Sequence, residues 1–426
     1  MQTNFSPAQL ADPANAEANT QLRACVHCGF CTATCPTYLL LGDELDSPRG
    51  RIVLIQEMLQ TGARPAPTTV THLDRCLSCL SCMTTCPSGV NYMHLVDHAR
   101  VVIEKHKVRP LLERIFRAGL LRILQSRGLF RLALTLAGLA RPFAALLPKT
   151  LKAMVAQAPR SLPQERREAR PGLFAAEGPR RARMALLSGC VQPVLDPAID
   201  AAVVRLLTRH GVEIVIAQGQ GCCGALAHHM GKDDDALAKA KINIAAWEKE
   251  IAGGGLDAIV ISASGCGTVL KNYGFMLKDD PAWAARAARI SALCKDVTEV
   301  LAGLELIPPV IAPGLAVAYH SACSLQHGQK VIDQPRALLA LAGFDVREIA
   351  DGHICCGSAG TYSILQPELS GQLRARKLAA IAATGAPIVA AGNIGCLQHL
   401  SGGNVRLIHT AQLLDWATGG PKPAGV

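Results

Sequence analysis

The sequence predicts a helical N-terminal domain followed by two copies of an α/β domain with parallel sheets. Two cysteine runs of identical spacing lie in the N-terminal region, surrounded by helical patterns. Further along, three cysteines recur 133 residues later in the same order, which indicates an internal duplication. In each copy, strand patterns alternate with helical patterns, as in a parallel sheet covered on both faces. We therefore expect four regions: 1–105, a basic helical linker at 106–182, and α/β domains at 183–308 and 309–426.

The two cysteine runs predict iron–sulfur clusters. Each reads C-x-x-C-x-x-C-x-x-x-C-P, and the cysteines are Cys25, Cys28, Cys31 and Cys35 in the first run and Cys76, Cys79, Cys82 and Cys86 in the second. This spacing binds a 4Fe-4S cluster, and its fourth cysteine ligates the other cluster when two are present. Zinc fits poorly, because it tends to use two separated C-x-x-C pairs. We therefore predict two 4Fe-4S clusters, with Cys86 joining the first triplet and Cys35 joining the second.

Helices are expected between and after these runs. A turn at 47–51 precedes apolar residues that follow at helical spacing over 52–59, and a second helical pattern covers 93–106. Forty residues separate Cys35 from Cys76. This distance favours a ferredoxin with helices between its loops over the short form that contains strands.

The linker carries the positive charge of the chain. Between Arg100 and Arg170 there are sixteen Lys or Arg and four Glu, whereas the whole chain has a net charge of +10. Apolar residues at roughly helical spacing accompany these cations, which favours one cationic helical surface facing an acidic partner or anionic lipid. Aromatic residues make up only 4% of the chain, which argues against nucleic-acid binding. We expect no membrane span, because the longest apolar run, Leu132 to Ala140, is interrupted by Arg141 and Pro142 before it is long enough to cross a bilayer.

The two α/β copies share one order of elements. In the first copy strands are expected at 184–187, 213–217 and 258–262, with helices at 196–209 and 233–251. In the second copy strands are expected at 315–319, 345–349 and 388–391, with helices at 335–342 and 367–383. Every repeated cysteine then falls just after a strand, at the sheet edge where open α/β sheets bind their ligands.

The repeated cysteines form one set of four in each copy. They are Cys190, Cys222, Cys223 and Cys266 in the first, and Cys323, Cys355, Cys356 and Cys396 in the second. A glycine follows each adjacent pair of cysteines, and its backbone freedom lets both thiols approach one centre. Free cysteines are often simply buried, but duplication in register favours metal or redox chemistry. Either an additional iron–sulfur cluster or zinc would suit four thiols.

Other features near these cysteines receive a structural interpretation. The segment 219–224 satisfies G-x-G-x-x-G after a strand, but its duplicate keeps only the thiol pair and loses the first glycine, so we expect no dinucleotide or flavin in this chain. Cys294 has no counterpart in the other copy, and we expect it in the core. Five histidines near the cysteine loops could ligate a metal or pass protons, but we favour ordinary hydrogen-bonded roles for them: His228, His229, His320, His327 and His353.

The motifs taken together resemble those of a known family. CVHCGFCTATCPTYLLLGDELDSPRGRI (25–52), RCLSCLSCMTTCPSGVNY (75–92), SGCVQ (188–192), QGCCGAL (220–226), SGCG (264–267) and ICCGSAGTY (354–362) closely resemble the iron–sulfur subunit of bacterial glycolate oxidase, a glycolate dehydrogenase. More distantly, the chain resembles cysteine-rich (CCG) subunits of heterodisulfide reductase, lactate utilisation systems and anaerobic glycerol-3-phosphate dehydrogenase. The resemblance implies that flavin-binding partner subunits oxidise glycolate to glyoxylate and that this chain relays electrons to the membrane quinone pool.

One departure from the heterodisulfide reductase pattern leaves the additional centre open. That pattern ends in C-x-x-C and uses five cysteines for a noncubane cluster, whereas Ala263 and Asn393 stand three residues before Cys266 and Cys396. Two rival functions remain: a catalytic disulfide reductase, and a zinc scaffold that docks the ferredoxin onto a partner. Seventeen cysteines indicate a reducing compartment, and the first twenty residues lack a secretory pattern. We therefore expect a cytoplasmic subunit that is peripheral to the inner face of the cell membrane.

Overall fold

The structure is a computed structural model that describes residues 1–146, 152, 154, 155, 158, 159, 161–311, 314–402, 405–424 and 426. Lys149 and Arg160, two cations of the predicted linker, lie outside the described residues.

The N-terminal domain is helical, as predicted. Its α-helices are Pro7–Leu10, Pro13–Ala24, Pro36–Leu41, Pro48–Thr61, Pro67–Asp74, Ser81–Thr84 and Tyr92–Lys105. Five of them begin with proline, whose fixed φ and missing N–H suit the first helical position. Leu22, Ile55, Leu73, Leu95 and Ile103 are buried in one core between these helices. This core holds the two cysteine runs in fixed positions relative to each other.

The linker begins with two helices, Leu111–Gln125 and Arg127–Ala140. The second continues as a 3-10 helix over Arg141–Leu146. Together, Arg127–Leu146 form one helical segment long and apolar enough to cross a membrane by length and composition, and 6% of its apolar window is buried. The expectation that no segment has this length is therefore wrong. A proline is tolerated in a first helical turn, so Pro142 does not end the segment.

The first α/β domain contains a five-stranded sheet. Its strands are β1 Gly172–Phe174, β2 Ala182–Leu186, β3 Val212–Ile216, β4 Ala258–Ile261 and β5 Cys294–Asp296, in the order β1-β3-β2-β4-β5. Every pair is parallel except β1 with β3. Strand β1 lies within the segment expected to be a linker. The accompanying helices are Gln192–Leu195, Pro197–Arg209, Ala225–His229, Asp233–Gly254, Ser264–Lys271, Tyr273–Met276, Ala284–Leu293 and Val297–Leu304.

The second α/β domain repeats this plan with four parallel strands. They are β6 Ala316–His320, β7 Asp345–Glu348, β8 Ile388–Ala391 and β9 Arg406–His409, in the order β7-β6-β8-β9. Its helices are Gln334–Leu341, Tyr362–Leu365, Pro367–Ala383, Ile394–Leu400 and Thr410–Ala417, with a π-helical turn at Ser324–Gly328. Residues of both sheets share one apolar core. The buried carboxylate of Asp415 also pairs with Arg205 and Arg209 of the first domain.

Candidate metal centres

Both cluster loops use the left-handed backbone region at the same two positions. The φ angles are 57° at His27 and 87° at Gly29 in the first loop, and 49° at Ser78 and 63° at Leu80 in the second. Glycine adopts this region without strain, whereas a leucine there costs about 1–3 kcal/mol. The Leu80 side chain is buried, so packing holds the second loop in the same shape as the first.

Each loop brings its triplet of cysteines to one small cavity. Cys25, Cys28, Cys31 and Cys86 line the first cavity, and Cys82 borders it as well. The second cavity is lined by Cys76, Cys79, Cys82 and Cys35. The fourth cysteine of each run therefore lies beside the triplet of the other run. Each triplet together with the fourth cysteine of the other run offers four thiols, which suits a 4Fe-4S cluster because it needs one thiolate for each iron.

A buried arginine lies beside the second cavity. The Arg51 guanidinium donates to His72 O at 2.7 Å and to Thr37 Oγ1 at 3.0 Å, and its Nη1 lies 3.8 Å from Cys35 Sγ. It also pairs with the buried carboxylate of Asp46 at 3.2 Å. A cation here would counter the negative charge of thiolates and of a bound cluster. The GDELDSPRGRI motif thus supplies the polar wall of the second centre, a role that spacing alone does not reveal.

Burial changes the acidity of the cluster-loop thiols. It raises the pKa of Cys31 to about 11 and raises the pKa values of Cys79 and Cys82 well above their usual range. As free thiols these groups would keep their protons at neutral pH. Metal binding must displace those protons, so a bound centre supplies the positive charge that stabilises thiolates in this apolar core.

The second cluster loop packs against the second α/β domain. Leu77 and Cys79 share an apolar cluster with Ile354 and Cys355, and Cys323 packs against it. Thr84 also forms a hydrogen bond of 2.8 Å with Nδ1 of His327. These contacts place the second cavity next to the repeated cysteines.

All eight repeated cysteines lie after strand ends, around one shared cavity. This cavity has a volume of about 240 Å³ and is lined by both sets of four as well as Cys76. The glycine after each cysteine pair has positive φ, 85° at Gly224 and 96° at Gly357. A Cβ at Gly357 would approach Ser370 O to 2.7 Å, so the loop needs glycine both for its φ and for its close contact.

Thiols within each set of four are in contact. Cys190 Sγ lies 3.5 Å from Cys222 Sγ in the first set. In the second set Cys323 lies 3.7 Å from Cys355, and Cys356 lies 3.6 Å from Cys396. Hydrogen bonds from Cys190 and Cys223 lower the pKa of Cys222. The same hydrogen bonds raise the pKa values of Cys190 and Cys223. Cys222 of the first set is therefore the thiol that ionises most readily, whereas the pKa values of Cys323, Cys355 and Cys356 in the second set are raised well above the ordinary value.

The histidines near the cysteines differ in their surroundings. His228 and His229 pair with Asp97 of the N-terminal domain at 3.2 and 3.3 Å, and His327 is hydrogen-bonded to Thr84 and to the carbonyl oxygen of His353. These contacts are of the ordinary kind expected.

His320 departs from that expectation. It is buried and neither of its ring nitrogens has a hydrogen-bond partner among the described residues. One ring nitrogen lies within 4.8 Å of the sulfur atoms of Cys356 and Cys396. It is among the histidines near the cysteine loops for which the sequence favoured an ordinary hydrogen-bonded role. One signal against that role was available: Leu187 stands 133 residues before it, at the same position of the first copy.

Cys294 lies apart from these centres. Its side chain is buried at β5, within the apolar core of the first α/β domain. Its thiol donates to the carbonyl oxygen of Ile290 at 3.3 Å. The expectation that Cys294 serves core packing is confirmed.

Comparison with family models agrees with these two kinds of site. A model for a 4Fe-4S dicluster domain matches residues 21–90. A model for the CCG cysteine-rich domain matches residues 184–271 and again residues 317–401. The chain therefore binds iron–sulfur clusters, and its second part is a duplicated cysteine-rich domain.

Comparison with curated proteins extends the match to the whole chain. The glycolate oxidase iron-sulfur subunit of Escherichia coli (strain K12) is 42% identical over 98% of this chain and 99% of its own length. The probable glycolate oxidase iron-sulfur subunit of Bacillus subtilis (strain 168) is 34% identical over 94% of each chain. Lactate utilization protein A of the same Bacillus strain is 27% identical over 55% of this chain and 99% of its own. This chain belongs to the family of glycolate oxidase iron-sulfur subunits and is an electron-transfer subunit of an oxidoreductase.

Proposed function

We propose that this chain accepts electrons from a flavin-binding partner subunit that oxidises glycolate to glyoxylate, and that it passes them on towards the quinone pool. The names of the two relatives support glycolate as the substrate of the complex. When bound, two 4Fe-4S clusters would supply one-electron transfer. A flavin partner is needed because oxidation of glycolate releases two electrons together, and a flavin can take both and pass them singly to one-electron clusters.

The observation that carries this proposal is the order of the centres from surface to interior. Cys28 is exposed, and the neighbouring Val26 and Phe30 side chains are 67% and 62% exposed. Cys79 and Cys82 of the second run are buried. Cys76 of the same run lines the cavity shared by the repeated cysteines, and Cys79 packs with Cys355. Electrons can therefore enter at the first loop and reach the cysteine-rich domains without crossing solvent.

We propose the crossed ligand sets: Cys25, Cys28, Cys31 and Cys86 for one cluster, and Cys76, Cys79, Cys82 and Cys35 for the other. This assignment is supported by the two cavities, because each is lined by one triplet and by the fourth cysteine of the other run. Cys86→Ser should perturb the electron paramagnetic resonance signal of the exposed first cluster, while Cys294→Ser should leave both signals intact. An effect of Cys86→Ser on the second cluster alone would exclude the crossing.

Reduction by the partner tests the relay. Glycolate should bleach the iron–sulfur absorption of this chain only when the flavoprotein subunits are added. Phe30→Asp should slow this reduction, because it places a charge at the proposed entry surface, whereas Ile242→Asp on an exposed helix of the first α/β domain should not. Reduction by glycolate without a partner would refute the relay.

We propose that the segment Arg127–Leu146 attaches the complex to the inner face of the cytoplasmic membrane. Its exposed apolar side chains recur every three or four residues along one side, at Leu129, Leu132, Leu136, Leu139, Phe143 and Leu146; we call this set the apolar stripe. Its arginines turn to the protein instead: Arg127 donates to the carbonyl oxygens of Gly189 and Ala169, and Arg131 to that of Pro163. A helix with an uncharged outer side suits the boundary between lipid head groups and acyl chains.

This geometry changes the role expected for the linker arginines. Arg117 is buried and pairs with Asp74 at 2.9 Å and with Glu113 at 2.8 Å, and Arg127 is engaged internally as described above. Reversing either charge would therefore disturb the fold before it disturbed a membrane contact. Of Arg117, Arg122 and Arg127, only Arg122 is exposed. Attachment should accordingly resist salt.

The disulfide-reductase alternative has one observation in its favour, the close thiol pairs of the shared cavity. A test is turnover of a substrate disulfide by the reduced chain alone. Activity that survives without the flavoprotein would favour the reductase over the relay.

A further inference from the structure

His320 is a buried polar side chain without a partner. It ends strand β6, is 2% exposed, and has no hydrogen bond at either ring nitrogen within the described part of the chain. Leaving a buried polar group unsatisfied costs about 1–3 kcal/mol. A residue of this kind, directed at two thiols, indicates a ligand that the imidazole would bind.

The spacing around His320 fits a single metal ion. One ring nitrogen and the sulfur atoms of Cys356 and Cys396 all lie within 4.8 Å of one another, and the two sulfurs are 3.6 Å apart. In a tetrahedral zinc site, Zn–S bonds of about 2.3 Å place two sulfurs roughly 3.8 Å apart. A cubane cluster spreads its thiolates over different irons. Among the described residues, no three cluster-loop cysteines have their sulfur atoms all within 4.8 Å of one another.

The first cysteine-rich domain lacks this arrangement. Leu187 occupies the position of His320, 133 residues earlier. Its side chain is buried in an apolar core with Cys223. The duplication therefore preserved the four thiols in both copies, while at this position only the second copy has a histidine.

We propose that His320, Cys356 and Cys396 bind one Zn²⁺ ion, with a thiolate of Cys323 or Cys355 as the fourth ligand. Such a Cys₃His site has a ligand set typical of structural zinc. The proposal rests on the proposed function only in taking the repeated cysteines as metal ligands. Zinc does not change its oxidation state, so its role here would be structural. It would fix the loop that packs on Cys79. Any redox centre of the cysteine-rich domains would then belong to the first set, around Cys222 and Cys223.

Metal analysis of the full chain tests this proposal. The protein, purified anaerobically, should contain one zinc per chain, and its zinc-edge X-ray absorption should show one nitrogen and three sulfur neighbours. His320→Leu, which copies the first domain, should lose at least tenfold in zinc affinity and lose the nitrogen neighbour. His353→Leu, a change of the same kind beside Cys355, should retain both.

The outcomes separate this proposal from the electron relay. Unchanged iron content and cluster signals in His320→Leu, together with loss of zinc, would support the zinc site and leave the relay intact. Absence of zinc, equal zinc in His320→Leu, or loss of iron in place of zinc would each overturn the proposal. If His320→Leu does not fold, His320→Cys should fold and bind zinc through four sulfurs, and its failure to bind zinc would also overturn the site.

Discussion

The apolar stripe gives a sharp test of membrane attachment. Replacing Leu132 and Leu139 by Gln keeps good helix formers on the segment while making its outer side polar. These side chains are 55% and 69% exposed, so together they offer the equivalent of about 1.2 buried leucines to a membrane. At about 1.5–3 kcal/mol for each fully buried leucine, the double variant should lose about 2–4 kcal/mol of binding free energy. That loss corresponds to roughly thirty- to seven-hundred-fold weaker binding.

Flotation with lipid vesicles measures this loss. The unchanged protein should float with vesicles of neutral lipid containing some anionic lipid, and high salt should release little of it, because apolar contacts are not screened. The double variant should stay in solution. Ile242→Gln, an apolar-to-polar change at an exposed residue outside this segment, should bind like the unchanged protein. Equal flotation of the double variant would refute this use of the apolar stripe, and binding of the stripe only to the partner subunits would assign it to the complex instead.

Three further predictions concern the fold around the centres. Arg51→Lys keeps the charge, but a lysine cannot reach His72 O, Thr37 Oγ1 and Asp46 together. This variant should destabilise the domain by about 2–4 kcal/mol and speed the loss of iron–sulfur absorbance in denaturant. Arg49→Lys, in the exposed pair with Glu44, should do neither. Gly50→Ala would place a Cβ 2.0 Å from Glu44 O and should lower the thermal midpoint, while Gly128→Ala, which has open space, should not. Burial opposes protonation of His228, but Asp97 and Asp233 outweigh it and raise its pKa to about 10. Since the folded-state pKa lies above the ordinary value of 6.5, this stabilisation should be complete below pH 6.5 and lost as pH rises through about 10; Asp97→Asn should shift the loss to lower pH in unfolding curves, and an unshifted profile would contradict the pairing.

The local patterns of the sequence predicted the kinds of element well. The cysteine runs specify a cluster type because their ligands lie within a few residues of one another, and the repeat at 133 residues marks the duplication directly. The sequence missed β1, β5 and β9, which have three or four residues each. Such short edge strands have too few residues to show alternation, and their pairing partners in the sheet decide them.

What the sequence by itself determined was the chemistry of the cysteines and the alternation of strands and helices, because both depend on neighbours along the chain. Only the tertiary structure decided which groups meet across the chain. It turned Arg117 and Arg127 inward, exposed the apolar stripe, and set the second cluster loop against Cys323 and Cys355. It also left His320 without a hydrogen bond beside two thiols. These relations depend on side-chain direction and packing between distant segments, which spacing within one segment does not specify.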